Sequence, residues 1–205
     1  MQRAASPATD IVELYQRHAD AWAKARGPGV LFERPWLDRF CALIPAGGSI
    51  LDIGCGAGQP IADFLIAQAY VLTGVDSSAP LLAFAHKRHP QREWIEADMR
   101  TLALGRRFDG LLLWDSFFHL TPGDQTAMFP VLRAHAAPGA ALMFTSGPEH
   151  GVTMSEFQGD PLYHGSLAPE EYRALFEQNG IEEVAHVAND PTCGHHTIWL
   201  CRFRA

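Results

Sequence analysis

One stretch limits what this chain can fold into more than any other: Ser49-Ile50-Leu51-Asp52-Ile53-Gly54-Cys55-Gly56-Ala57-Gly58-Gln59-Pro60. A short apolar strand runs into a glycine-rich turn, and an apolar helix carrying Ile61, Phe64, Leu65 and Ile66 follows. Three glycines at alternate positions let the backbone turn sharply and approach a ligand with no side chain between. Such a turn can present its N–H groups, with the helix N-terminus behind them, to an electron-rich group. Pro60 suits the first helical turn, where a missing N–H costs nothing. The spacing differs from the dinucleotide pattern G-x-G-x-x-G, because the position after Gly58 is Gln59.

A glycine turn alone can be purely structural, so its surroundings matter. A second apolar strand, Val71-Leu72-Thr73-Gly74-Val75, ends in Asp76, about 20 residues on, where a ribose-binding carboxylate is expected. Ser78 and Pro80 then open a helix through Leu81, Leu82, Phe84 and Ala85. A third strand near Glu93–Glu96 leads to Ala97-Asp98-Met99-Arg100. The run 108–114 is almost continuously apolar, as a parallel strand covered on both faces should be, and Asp115 follows it. A helix over 123–136, kinked at Pro130, a break at Ala137-Pro138-Gly139 and a fifth strand over 140–144 come next. Strand–helix alternation gives a doubly wound α/β sheet whose ligands bind beyond the strand C-termini. Gly54, Asp76, Asp98 and Asp115 all fall there, so one cleft collects them.

The motif Leu51-Asp52-Ile53-Gly54-Cys55-Gly56-Ala57-Gly58, followed by Gly74-Val75-Asp76, resembles the cofactor-binding core of class I S-adenosylmethionine-dependent methyltransferases. The small-molecule, quinone-methyltransferase-like branch is the nearest, and the resemblance is specific over about residues 49–145. It implies a Rossmann-like, doubly wound seven-stranded sheet, mostly parallel with an antiparallel C-terminal strand, helices on both faces and an N-terminal helical lid. The single domain 1–205 would divide into lid (1–45), cofactor-binding core (46–145) and substrate loop with closing strands (146–205). The implied cofactor is S-adenosyl-L-methionine, leaving S-adenosyl-L-homocysteine. Asp52 and Gly54 would lie beside its amino-acid end, with Cys55 a further cofactor-binding residue and Gly56 and Gly58 giving the backbone close approach. Asp76 would accept from both ribose hydroxyls, for which a carboxylate has the lone pairs. Ser77 and the pair Asp98-Met99 would hold adenine, with Asp98 accepting from its exocyclic amine, and Trp114-Asp115-Ser116 would lie near the methionine portion.

The flanks are less explicit. Asp10 and Glu13 read as a capping box for a helix carrying Ile11, Leu14, Tyr15, His18, Ala19, Trp22 and Arg26, ended by Gly27-Pro28-Gly29. A second helix starts near Pro35 and stops at Pro45. Trp22 and Trp36 read as core aromatics, whereas Tyr15 and Arg26 have polar tips able to reach a cofactor. The stretch 145–167 reads as a long irregular loop, which in a compact domain is functional or disordered. A helix over 169–179 with Gly180 as its stop and two strands, 181–187 and 197–203, close the chain.

Methyl transfer is a displacement at a carbon bonded to sulfonium, so alignment and exclusion of water supply much of the rate. A general base is needed only for a protonated acceptor. Phe117-Phe118-His119 offers an aromatic acceptor pocket with His119 as base or orienter, against the plainer reading of a helix burying two rings. Asp115, Tyr163 and His164 are the further catalytic candidates, and His150 is a third imidazole. Cys193, His195 and His196 do not make a zinc site: adjacent strand histidines point to opposite faces and no second ligand pair follows.

Charge narrows the partners. Lys and Arg total 16 against 23 Asp and Glu, a net charge of −7, with no basic run for a polyanion. The expected acceptor is a small molecule, with neither nucleic acid nor membrane as partner, in a monomer or homodimer. Cys41, Cys55, Cys193 and Cys201 lack paired spacing, residues 1–10 carry no signal-peptide core, and no run spans a bilayer. A cytoplasmic enzyme is the expectation. An NAD-dependent oxidoreductase and a non-catalytic S-adenosylmethionine-binding regulator are the alternatives.

Overall fold

The computed structural model describes residues 7–27 and 31–205. Seven strands form one sheet in the order β3-β2-β1-β4-β5-β9-β8. They are β1 (Ser49–Ile53), β2 (Val71–Asp76), β3 (Glu93–Glu96), β4 (Phe108–Leu113), β5 (Ala136–Ser146), β8 (Ile181–Asp190) and β9 (His196–Phe203). The first five pair in parallel, and β9 runs antiparallel to both neighbours, so the chain reverses once at the end of the sheet. Neighbours β1 and β4 put the chain's reversal of strand order at the glycine turn, the place where such sheets open a crevice.

Alternation along the central strands builds two cores. Leu51, Leu111, Leu113, Leu142 and Phe144 face one side and pack with α6 (Pro122–His135) and α7 (Pro169–Asn179) through Phe129, Tyr172 and Phe176. Ile50, Leu112 and Met143 face the other, against Leu37 and Phe40 of α3 (Arg34–Cys41), Leu65 of α4 (Ile61–Ala67) and Leu82 of α5 (Ala79–Arg88). Leu111, Leu112 and Leu113 are all fully buried, which is why this strand reads as a continuous apolar run. Each such leucine contributes about 1.5–3 kcal/mol.

Four local expectations change. The first helix is two, α1 (Pro7–Arg17) and α2 (Ala19–Ala25), separated at His18. Because α1 begins at Pro7, Asp10 sits inside its first turn and is not its cap. The expected stop at 27–29 lies partly outside the described residues. Ala137-Pro138-Gly139 does not end α6: β5 already pairs with Phe108 at Ala136, and the Pro-Gly is absorbed where the register shifts before Gly110. Finally, the expected loop 145–167 is largely a hairpin, β6 (Gly151–Phe157) and β7 (Asp160–Ser166). Gln158 and Gly159 form its two-residue turn, both at positive φ (56° and 88°). That geometry favours Asn-Gly or Asp-Gly, so Gln-Gly gives little signal in the sequence.

The hairpin tip meets the N-terminal helices. Asp160 accepts from Arg17 and pairs with His18, both at 2.8 Å, and Phe157 lies edge-on to Trp22. No helix among the described residues is long and apolar enough to cross a membrane.

Candidate active site

The C-terminal ends of β1, β2, β3 and β4 open into one chamber roofed by α1 and α2. Gly54, Gly56, Asp76, Ser77, Asp98, Met99, Asp115 and His119 line it from the sheet side, and Tyr15 and Trp22 from the helices. A second, smaller chamber shares Trp22, Gly54, Gly56 and Asp115 with the first and adds Arg26, Asp52, Cys55, Gln59 and Trp114. Thus Tyr15, Arg26, Asp52, Gly54, Cys55, Gly56, Asp76, Ser77, Asp98, Met99, Trp114 and Asp115 converge on one connected space. Gly58 does not.

The glycines do different things. Gly54 (φ 82°) could carry no side chain, since a Cβ there would stand 2.2 Å from that of Ser116. Gly58 lets the turn close on α5 and β3: its Cβ position is 3.1 Å from both Ala85 and Trp94. Its smallness therefore serves helix–sheet packing. The turn's N–H groups also depart from expectation. Those of Gly54 and Cys55 donate to the Val75 carbonyl, and that of Gly56 to Asp76 Oδ2 at 2.8 Å. They tie β1 to β2 and are not free for a ligand.

Asp76 is held from both sides, with Oδ1 accepting from the Ser78 N–H at 2.8 Å. Burial raises its pKa, against the lowering effect of these backbone donors. Each oxygen keeps a lone pair beyond the one so used. Asp52 is buried, and burial followed by the nearby Asp76 pushes its pKa up to about 7. Neither Asp52 nor Asp76 has an Arg, Lys or His salt-bridge partner among the described residues. Asp98 is different: its oxygens take the Arg100 backbone N–H and the Arg100 guanidinium, the closest contact 2.6 Å, which lowers its pKa. It caps a 3₁₀ turn, Met99–Thr101, so little of its capacity is left for an exocyclic amine.

Residues 50–139 match the family model described as a methyltransferase domain. This stretch is similar to methyltransferase domains. Trans-aconitate 2-methyltransferase from Azoarcus sp. (strain BH72) is 34% identical over 97 residues, 46% of this chain and 37% of the relative. A dTDP-3-amino-3,6-dideoxy-alpha-D-glucopyranose N,N-dimethyltransferase from Streptomyces fradiae is 30% identical over 102 residues, 48% of this chain and 39% of the relative. The matched stretch thus spans about two fifths of the curated relatives. The magnesium protoporphyrin IX methyltransferase of Synechocystis PCC 6803, solved with bound S-adenosylmethionine, superposes over the whole of both chains with a TM-score of 0.74 at 16% identity. The fold is the Rossmann-like one of class I methyltransferases.

Beside the paired chambers lies an outer cleft of about 510 Å³, walled by Phe118, His150, His164, His195, His196 and the base of the hairpin. Two contacts partition it from the chamber: the His119 and His164 rings (5.3 Å), and Asp115 with His196 (2.8 Å). His119 is buried, with Nδ1 2.9 Å from the Tyr163 carbonyl and Nε2 2.9 Å from the Tyr15 hydroxyl. Burial lowers its pKa to about 4, so it is neutral. The carbonyl only accepts, hence Nδ1 carries the hydrogen and Nε2 accepts from Tyr15. Burial, with Asp115 and Asp76, raises the Tyr15 pKa, keeping it a phenol.

Tyr163 enters this arrangement through its carbonyl; its phenol is buried and lines neither chamber nor cleft. His164 lies against Phe118 at 4.9 Å, its buried Nε2 without a partner. Phe117 is core, and the 117–119 segment is a 3₁₀ turn, not a longer helix. His150 pairs with Glu171 at the surface. Trp36 is core, but Trp22 is a chamber wall, because α2 lays its ring over the glycine turn at Gly56. The sequence placed Ser116 beside Trp114 and Asp115, and it lines the chamber, but it did not point to Gln59 or His196. Gln59 Nε2 donates to the Ala23 carbonyl and Ser116 Oγ to that of Ile53. Gln59 stands in the motif where a dinucleotide loop has no such amide, the one available signal; His196 depends on a turn 81 residues from Asp115.

Proposed function

We propose that this protein binds S-adenosyl-L-methionine in the paired chambers and transfers its methyl group to a small-molecule acceptor in the outer cleft. The observation that carries the reading is the pair of carboxylates, buried Asp52 and half-buried Asp76, without a salt-bridge partner among the described residues. Buried carboxylates are costly unless a cation or donors meet them. A sulfonium with an ammonium and a ribose diol supplies both, whereas a dinucleotide pyrophosphate would bring more negative charge. The smaller chamber adds two unpartnered buried atoms, Trp114 Nε1 as donor and Gln59 Oε1 as acceptor, which suit a carboxylate and an ammonium. When bound, the cofactor supplies an electrophilic methyl on sulfur.

The protein's own residues orient and shield. Asp76 holds the diol, Met99 and Ser77 the adenine, and Tyr15 and Trp22 close the roof against water. Because His119 Nε2 is occupied by Tyr15, it orients the phenol that lines the chamber and is a weak base at neutral pH. That arrangement suits an acceptor arriving with a free lone pair. We infer further that residues 1–205 work as one domain, with 1–45 as lid, 46–145 as cofactor core and 146–205 as acceptor side. We infer also a cytoplasmic enzyme, monomeric or homodimeric, without nucleic-acid or membrane partners; net acidity supports the exclusion of polyanions.

The test is calorimetric titration of ligand-free protein with S-adenosylmethionine and S-adenosylhomocysteine, with NAD as control. Saturable binding of the first two and none of NAD is expected. Binding of neither by folded protein refutes the reading, and binding without methylation across a broad acceptor panel would favour a regulator.

A further inference from the structure

Asp115 follows β4 with φ 51°, a left-handed conformation uncommon for a residue with a side chain. Two contacts hold it: its N–H donates to Thr145 Oγ1 at 3.0 Å, and Oδ1 meets His196 Nε2 at 2.8 Å. The other ring nitrogen of His196, Nδ1, lies 2.8 Å from the carbonyl oxygen of Cys193. Carbonyl and carboxylate oxygens accept and do not donate. Meeting both therefore requires a hydrogen on each nitrogen, and an imidazole with two N–H groups is a cation.

The ring's surroundings agree. It lies between Phe32 (centroids 5.6 Å apart, planes inclined 30°) and Trp114 (5.4 Å, 31°), two aromatic faces toward one cation. The ionisable neighbours are Asp115 after β4, Glu33 before α3, and Asp190, Cys193 and His195 in the turn joining β8 to β9. The nearby cation is Arg26, itself paired with the buried Glu33 at 2.5 Å. Burial disfavours charge on His196, but the hydrogen bond and charge of Asp115, the Cys193 carbonyl and Glu33 outweigh it, and its pKa is raised.

We infer that His196 is a positioning residue: a protonated imidazole, clamped between Phe32 and Trp114, that fixes the Asp115 carboxylate where the two cofactor chambers meet. What Asp115 then faces rests on the methyl-transfer reading, and the clamp itself does not. On that reading the carboxylate is aimed at the cationic end of the cofactor.

Nitrogen-15 NMR of histidine-labelled, ligand-free protein tests the charge directly. At pH 7.5 an ordinary imidazole is about nine-tenths neutral. His196 should show two protonated nitrogens there, and Asp115→Asn should move its titration to lower pH. A neutral His196 in the wild-type protein at pH 7.5 overturns the assignment. Calorimetry with S-adenosylmethionine tests the positioning. His196→Phe and Asp115→Asn should each weaken binding by about tenfold, a loss of one strong contact, and the double variant little further. His196→Gln keeps a donor for Asp115 and should recover part of the affinity with a flatter pH profile; it also serves should the phenylalanine variant not fold. Independent, additive losses, or wild-type affinity in folded variants, overturn the role. Because the spectrum is read without ligand, failure of the wild type to bind S-adenosylmethionine removes the cofactor reading and leaves the clamp to be judged on the spectrum.

Discussion

Replacing Asp76 by asparagine exchanges one carboxylate oxygen for an NH₂ group and separates a charge-dependent role from a purely steric one. Both carboxylate oxygens already accept from backbone N–H groups, Oδ1 from Ser78 and Oδ2 from Gly56, each at 2.8 Å. Whichever way the asparagine amide turns, its NH₂ faces one of those donors. One charge-assisted bond is lost and one N–H is left unmet, costing about 1.5–3 kcal/mol. Part of that is already offset in the ligand-free protein, where the charge is expensive to bury and the pKa is raised by burial. That loss acts on the ligand-free and bound protein alike; the penalty on binding is the lost charge-assisted bond from a ribose hydroxyl, also about 1.5–3 kcal/mol. The expected result is S-adenosylmethionine affinity reduced roughly ten- to 150-fold, with a melting temperature close to wild type. Asp76→Ala should lose at least about tenfold by the same route. Calorimetry and thermal melts on one preparation measure both. A folded Asp76→Asn protein that binds within about twofold of wild type refutes the assignment of Asp76 to the site.

Other substitutions follow from the same geometry. Asp52, with a pKa pushed up to about 7, must be ionised to attract a cation, so affinity for S-adenosylmethionine should fall as pH drops below 7, and Asp52→Asn should flatten that profile. Because its folded pKa lies above the unfolded value, its contribution to ligand-free stability is present in acid and lost as pH rises through about 7, which melts across pH 4–8 will register. Gly54→Ala places a methyl 2.2 Å from Ser116 Cβ at φ 82°, and should destabilise the protein by about 3 kcal/mol or abolish binding; denaturant titration distinguishes the two. Tyr172→Phe removes the hydroxyl that donates to Gln125 Oε1 at 2.5 Å in a fully buried pair, and should cost about 1–3 kcal/mol in a urea melt while leaving cofactor affinity intact.

The sequence by itself determined the sheet's first half and the cofactor chamber's acids. Strands ending in glycine or aspartate, separated by helices of ordinary length, leave a parallel doubly wound sheet as nearly the only economical arrangement. The chain direction then puts Gly54, Asp76, Asp98 and Asp115 at one edge. These are local signals, read over a few residues each. What the tertiary structure decided depends on partners far apart in the chain. It turned the glycine-loop N–H groups onto β2, and set Gly58 against Trp94, since neither outcome is encoded in the loop's own residues. A hairpin closed on an atypical Gln158-Gly159 turn, because its register comes from pairing and from the grip of Asp160 on Arg17 and His18. His119 became neutral through burial, and His196 cationic through Asp115 and Cys193. Protonation is a property of an environment, and no spacing of residues along a chain states it.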